Sequence, residues 1–301
     1  MSNASYESFI KSQTEQRYPP FAEQLAALET LFSDPSVPIS EIAKKAADPL
    51  VVAYKNAPNG SGPDVAKAAR IMHALNIAVR ELTEYNDKLV ELVYEMHNMP
   101  GEEEAGVVLG YFNSEWIEFG SDFKYARESD PDRNAKLQAW INMNSFCAKL
   151  SLKRDPKVDR RWDSDWIFRT ALEKTPWDNK DNSDLLENVD LELENQRAEY
   201  EYQLEQRDIK SLNFWIPGAA VWIKIDGKGI YEMAGKMSRE YDWDKTNWKG
   251  PKGWSKERFG YWRERFAWVS TVETLERRTK VDAREAANIM KDIEENAAKG
   301  S

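Results

Sequence analysis

Gly250-Pro-Lys-Gly-Trp-Ser-Lys-Glu-Arg-Phe-Gly-Tyr-Trp-Arg-Glu-Arg-Phe-Ala-Trp-Val269 is the stretch on which the reading of the fold turns. It holds three of the chain's 12 tryptophans, with two phenylalanines and a tyrosine, among arginines and lysines. Pro251 and Gly253 shape a turn, and Ser255 is placed to cap a helix. Beyond that cap Phe259, Trp262, Phe266 and Val269 recur at helical spacing, and Arg258, Tyr261, Arg265, Trp268 and Val272 form the adjacent stripe. A helix apolar over more than half its girth predicts burial on several sides, as in a multi-helix, bundle-like all-α domain. Its arginines have two readings: packing with buried ion pairs and cation–π contacts, or a clamp on an anionic or planar ligand in an aromatic pocket.

Working outward, helical periodicity dominates. Phe21, Leu25, Leu28 and Phe32 share one face of a helix over 18–32, and Ser33-Asp-Pro ends it. A second helix is expected over 39–56, strained at Pro49. Pro58-Asn-Gly-Ser-Gly-Pro63 is a clear turn. The periodic run from Pro63 to about Asn98 is long enough to predict a bend or break within it. Further helices are expected over 109–127, 131–153, 161–174 and, more weakly, 283–299. Between 183 and 208 Leu186, Val189, Leu193, Tyr200 and Leu204 predict an acidic helix, capped by Asn182 or Ser183 and open to protruding from the fold. Val221-Trp-Ile-Lys-Ile-Asp-Gly-Lys-Gly-Ile-Tyr231 reads locally as a hairpin, with a helix from Pro217 as the other reading. One domain is expected over 1–301. It would comprise N-terminal helices in 1–62, central helices in 63–176, the acidic helix in 177–210 and aromatic helices in 211–301.

Charge narrows the function. The formal net charge of −10 argues against nucleic acid as a partner. From Asp178 to Asp208 there are eleven acidic residues against three basic; from Lys249 to Arg265 there are six basic against two acidic. Both stretches read as solvated faces, or the acidic one docks a basic partner or the chain's own basic segment. The apolar stretch Phe214–Ile225 is too short to span a bilayer, so no membrane is expected. The opening residues show no secretory signal, and the single cysteine, Cys147, suits a reducing, cytoplasmic setting.

Candidate chemistry is sparse. The two histidines, His73 and His97, fit no metal motif, and no nucleophile elbow or phosphate-binding loop is present. No cofactor is therefore expected. Asp87, Glu91 and Glu95 line one helix face, either solvated or able to hold a divalent cation. Asn144 shares a face with Trp140 and Cys147. A buried amide needs a partner, which is either an inter-helix hydrogen bond or a ligand. The ligand-binding candidates are Trp140, Asn144, Trp222, Arg258, Tyr261, Trp262 and Arg265.

Three segments together carry a resemblance. Trp140-Ile-Asn-Met-Asn-Ser-Phe-Cys-Ala-Lys-Leu150, Ile216-Pro-Gly-Ala-Ala-Val-Trp-Ile223 followed by Gly229-Ile-Tyr231, and Gly250 to Phe266 are similar to motifs of the filamentous-fungal family called domain of unknown function 3632. Phe259 stands where that family more often has tryptophan. The resemblance implies a fungal source, an intracellular setting and a helical fold, favours helix over 217–231, and brings no catalytic residues. The functional expectation is a non-enzymatic binding or interaction protein, with a partner or second copy meeting the acidic helix at 183–208. The alternative is a cofactor-independent cyclase or isomerase of fungal specialised metabolism, with an aromatic-lined pocket for a small molecule.

Overall fold

The computed structural model describes residues 5–121, 126–174, 183–186, 188–207, 209–237 and 246–299. Every regular element among the described residues is helical. The chain divides into two compact units: residues 1–124 with 138–159, and residues 125–137 with 160–301.

The first unit begins with a helix that periodicity did not predict, α1 (Tyr6–Thr14), capped by the Ser5 hydroxyl accepting from Ser8 N. Helices α2 (Ala22–Ser33), α3 (Ile39–Asn56) and α4 (Pro63–Glu81) follow. Gln24 ties these three together. Its buried amide donates to the carbonyls of Ala46 (2.9 Å) and Ala68 (3.0 Å) and accepts from Phe21 N. Helix α4 opens with Pro63 in its first turn, where the missing N–H costs nothing.

The expected break in the long run falls at Leu82–Tyr85, and α5 (Asn86–His97) resumes beyond it. The helix end exposed by that break is answered by α7 (Arg133–Ser151), whose part from residue 138 onward belongs to this unit. Asn142 Nδ2 donates to the Arg80 carbonyl (2.8 Å) and the Thr83 hydroxyl (2.9 Å), and Asn86 Nδ2 donates to the Asn142 carbonyl (3.0 Å). An amide that closes an orphaned helix terminus gives the first asparagine of Trp140-Ile-Asn-Met-Asn144 its physical role. Asp87 and Glu91 of the acidic stripe pair with Lys149 (2.7 Å) and Lys153 (2.6 Å) of α7. Helix α6 (Glu102–Ser121) adds Phe112 and Trp116, which stack with each other and extend to Phe146.

In the second unit α8 (Arg161–Phe168) runs into a π-turn at Arg169–Glu173. The acidic segment is not the continuous helix expected over 183–208. It is a single turn, α9 (Ser183–Leu186), and a separate helix, α10 (Glu194–Arg207). Local side-chain bonding explains the break. Asn188 has φ +66°, Asp190 Oδ1 accepts from Glu192 N (2.9 Å), and Gln196 Oε1 accepts from Asp190 N (2.7 Å). These bonds offer the backbone an alternative to the helix. The candidate cap Asn182 lies outside the described residues.

Helix α11 (Leu212–Tyr231) corrects the hairpin reading of 221–231. Its buried face carries Phe214, Trp222, Ile223 and Ile230, and it packs chiefly on α13 (Arg277–Lys299). The small buried side chains of Ala283, Ala286 and Ala287 let the two helices approach. A Cβ at Gly227 would come within 3.0 Å of Ile293 Cδ1, so this glycine serves close packing and not a turn. Tertiary burial overrides the local β preference. Helix α12 (Lys256–Val269) also packs on α13, with Arg263 Nε 2.6 Å from Glu294 Oε2.

Candidate functional site

The opening stretch folds as its capping residues dictate. Ser255 Oγ accepts from Arg258 N (3.0 Å) to start α12. Gly253 sits at φ +89°, where a Cβ would meet the Lys236 carbonyl at 2.8 Å, so only glycine passes without strain. Two backbone bonds then fix the approach: Trp254 N to Lys236 O (2.9 Å) and Gly235 N to Trp254 O (2.8 Å). Around the start of α12 the rings of Phe168, Trp254 and Trp262 form a box. Phe168 stacks on Trp262 at 4.8 Å, and Trp254 meets Trp262 edge-on at 5.5 Å.

Into this box the π-turn sends Glu173, a residue that composition and motif reading passed over. Its carboxylate is fully buried and both oxygens are occupied. Oε1 accepts from Arg258 Nε (2.7 Å) and Trp262 Nε1 (2.7 Å), and Oε2 accepts from Arg258 Nη2 (2.9 Å). Arg258 Nη1 also donates to the Gly253 carbonyl (3.0 Å), so one guanidinium joins the π-turn to the glycine turn. The Glu173 carbonyl accepts from Asn247 N (2.8 Å). A bidentate pair of this kind fixes geometry more than it adds stability.

Arg265 lies two turns further along the same stripe of α12, and its side chain is likewise fully buried. Its Nε donates to the Leu172 carbonyl (2.8 Å), and its guanidinium lies 4.2 Å from the centroid of the Trp268 ring. The carbonyl end of the α8–π-turn segment carries the negative end of the helix dipole, which suits a buried cation. Burial brings the Arg265 guanidinium down to about 10, opposed by the Tyr261 phenol, so it stays protonated at neutral pH. Burial in turn raises the Tyr261 phenol, with nearby Arg265 pulling the other way. One turn before Glu173, Arg169 Nε pairs with Asp165 Oδ2 at 3.1 Å, both side chains buried. Lys174, next in sequence, is lowered by burial and then by the Arg169 charge.

Five of the seven candidate residues, Trp222, Arg258, Tyr261, Trp262 and Arg265, belong to the second unit. Trp222 is fully buried on α11. Trp140 and Asn144 belong to the first unit, where both are buried and Asn144 Nδ2 donates to the Trp140 carbonyl (2.8 Å) within its own helix. The signal that could have exposed Glu173 is the spacing Asp165, Arg169, Glu173. These are alternating charges every four residues on a helix that also carries Phe168 and Leu172.

The second feature is a surface. Over Glu194–Gln203 helix α10 buries no side chain, while Leu186, Leu191, Leu193 and Tyr202 are all at least 40% exposed. A cleft of about 260 Å³ lies beside it, lined by Leu185, Val189, Gln196, Glu199, Tyr200 and Gln203 among others.

Fold and site together define an all-α protein with an aromatic, arginine-clamped second unit. A family model described as protein of unknown function DUF3632 matches residues 70–266, well over half of the chain. The chain belongs to that family. No curated protein and no solved structure matches it. No helix among the described residues is long and apolar enough to cross a membrane.

Proposed function

We propose that this is a non-enzymatic binding protein of the cell interior, as the fungal family resemblance implies, and that its interface is the acidic segment of α9 and α10. The observation that carries the reading is the absence of any buried side chain over Glu194–Gln203, in a segment that also exposes leucines. A helix of 14 residues is marginal in water on its own, so burial against a partner would supply what unit 2 does not supply over Glu194–Gln203. The Glu173 cluster supports the same reading, because its carboxylate is fully committed to holding segments of the chain together. The net charge of −10 favours a partner other than a polyanion.

The test is charge reversal of Glu192, Glu194, Glu199 and Glu201 to lysine in the full chain. Native mass spectrometry and cross-linking would follow oligomeric state and associations. The reading expects at least one association or the oligomeric state to change. If all of them persist unaltered, the interface is wrong. A small molecule retained through purification would instead favour the enzyme reading.

A further inference from the structure

The exposed leucines of the α9–α10 segment constrain what can sit there. Leu186, Leu191 and Leu193 are 40%, 41% and 47% exposed, and Asp190, Glu192 and Glu194 alternate with the last two in sequence. Tyr202, on α10, is 41% exposed with its ring under the Arg127 guanidinium at 4.3 Å. The adjacent cleft is lined by the apolar Leu185 and Val189 and by Tyr200, together with the polar Gln196, Glu199 and Gln203. Its volume of about 260 Å³ falls below the roughly 300–1,000 Å³ of small-molecule sites, so it suits a side chain better than a free ligand.

Charge and shape then narrow the occupant. From Asp178 to Asp208 the local net charge is −8, from eleven acidic and three basic residues. A second copy presenting the same surface would place like charges together, which costs several kcal/mol. A plain polycation would answer the carboxylates but leave the leucines in water. A helix offers no unpaired backbone edge, so strand addition has nothing to pair with, whereas a helix laid against a cleft does.

Resting on the interaction reading above, we infer that the occupant is a basic amphipathic helix of another protein. It sets an apolar side chain into the cleft between α9 and α10, covers the exposed Leu186, Leu191 and Leu193 with the rest of its apolar face, and places its lysines or arginines against Glu192, Glu194, Glu199 and Glu201. The apolar anchor supplies affinity and the charges supply orientation and encounter rate.

The test uses the full chain and fluorescence anisotropy with two labelled synthetic peptides of about 18 residues, five helical turns. One is an amphipathic helix of leucine and lysine. The other has the same lysines with serine in place of leucine. The leucine–lysine peptide is expected to bind saturably at one to one, and the serine peptide at least about tenfold more weakly, the effect of losing a good anchor. The triple variant Leu186→Ser, Leu191→Ser, Leu193→Ser should lose about tenfold for the first peptide, as should Glu192→Gln, Glu194→Gln, Glu199→Gln, Glu201→Gln. All these positions are exposed, and far-UV circular dichroism checks that each variant is folded. Equal binding of both peptides, or an unaffected leucine variant, overturns the amphipathic helix and leaves a purely electrostatic surface. A peptide-free dimer that the leucine variant abolishes makes a second copy the occupant and overturns it too. Failure of both peptides to bind also overturns it. The interaction reading itself fails only if the lysine charge reversal alters no association.

Discussion

Replacing Glu173 with glutamine removes one negative charge and almost no volume from the centre of the second unit. The amide oxygen can still accept from Arg258 Nε and Trp262 Nε1, but the new NH2 then faces Arg258 Nη2, a donor against a donor at 2.9 Å. Arg258 is 1% exposed and cannot turn to water. Breaking a buried pair by removing one partner costs about 3–5 kcal/mol. For a folded body of about 150 residues or more, 1 kcal/mol shifts Tm by about 2–4 °C, so the expected loss is roughly 6–20 °C. Differential scanning fluorimetry and guanidinium unfolding followed by tryptophan fluorescence would measure it. A double-mutant cycle with Arg258→Met isolates the pair, because the double variant leaves no buried charge without its partner. The single losses should exceed the double loss by at least about 1 kcal/mol. A Glu173→Gln loss below about 1 kcal/mol, or strict additivity in the cycle, would refute the argument that this carboxylate locks the aromatic box.

Three further outcomes follow from particular positions. Gly253→Ala forces a side chain into φ +89° and onto the Lys236 carbonyl, so it should cost at least about 2 kcal/mol in chemical denaturation; a neutral result contradicts the turn geometry. Gly110→Ala lies inside α6 with nothing within 4 Å of the added Cβ, and should stabilise by about 0.5–1 kcal/mol, read as a rise in Tm. Tyr261 has its phenol raised by burial, so the stability it contributes is fully present below its unfolded value near 10 and is lost as pH rises through the folded one. The Tm difference between the wild type and Tyr261→Phe, followed from pH 8 to about 11, should therefore move against the wild type above about pH 10. A difference that stays flat removes the buried phenol from the account.

Much of this architecture is visible in the chain because local signals agree with burial. The span of α3 is the one that spacing predicts, and Ser255 caps α12 as its place before Phe259 and Trp262 suggests. The break after Glu81 was foreseeable from length alone, but not the amide that heals it. Asn142 lies 62 residues from the Arg80 carbonyl it caps. The hairpin reading of 221–231 failed because β-branched and aromatic residues prefer any half-buried surface, and here α13 supplies one to a helix. Periodicity predicts too long an acidic helix because the leucine pattern carries across Asp190, whose side chain bonds the backbone instead. At the candidate site the cations and rings announce themselves by helical spacing. The carboxylate that organises them stands 85 residues upstream of Arg258, and no local pattern reports such a pairing.

The π-turn at Arg169–Glu173 has a consequence for how this chain tolerates change. Five residues fill the turn that four fill in an α-helix, with Lys174 N bonding back to the Arg169 carbonyl, so deleting one residue between Arg169 and Leu172 would leave an ordinary α-turn whose glutamate still stands one turn beyond Phe168. The extra residue of the π-turn gives the chain one place where its length can change while the Glu173 clamp is kept, whereas truncating Glu173 itself loses all three of its side-chain hydrogen bonds. The identity of Glu173 is therefore constrained more tightly than the count of residues in the turn before it, and a variant one residue shorter there would still hold the start of α12.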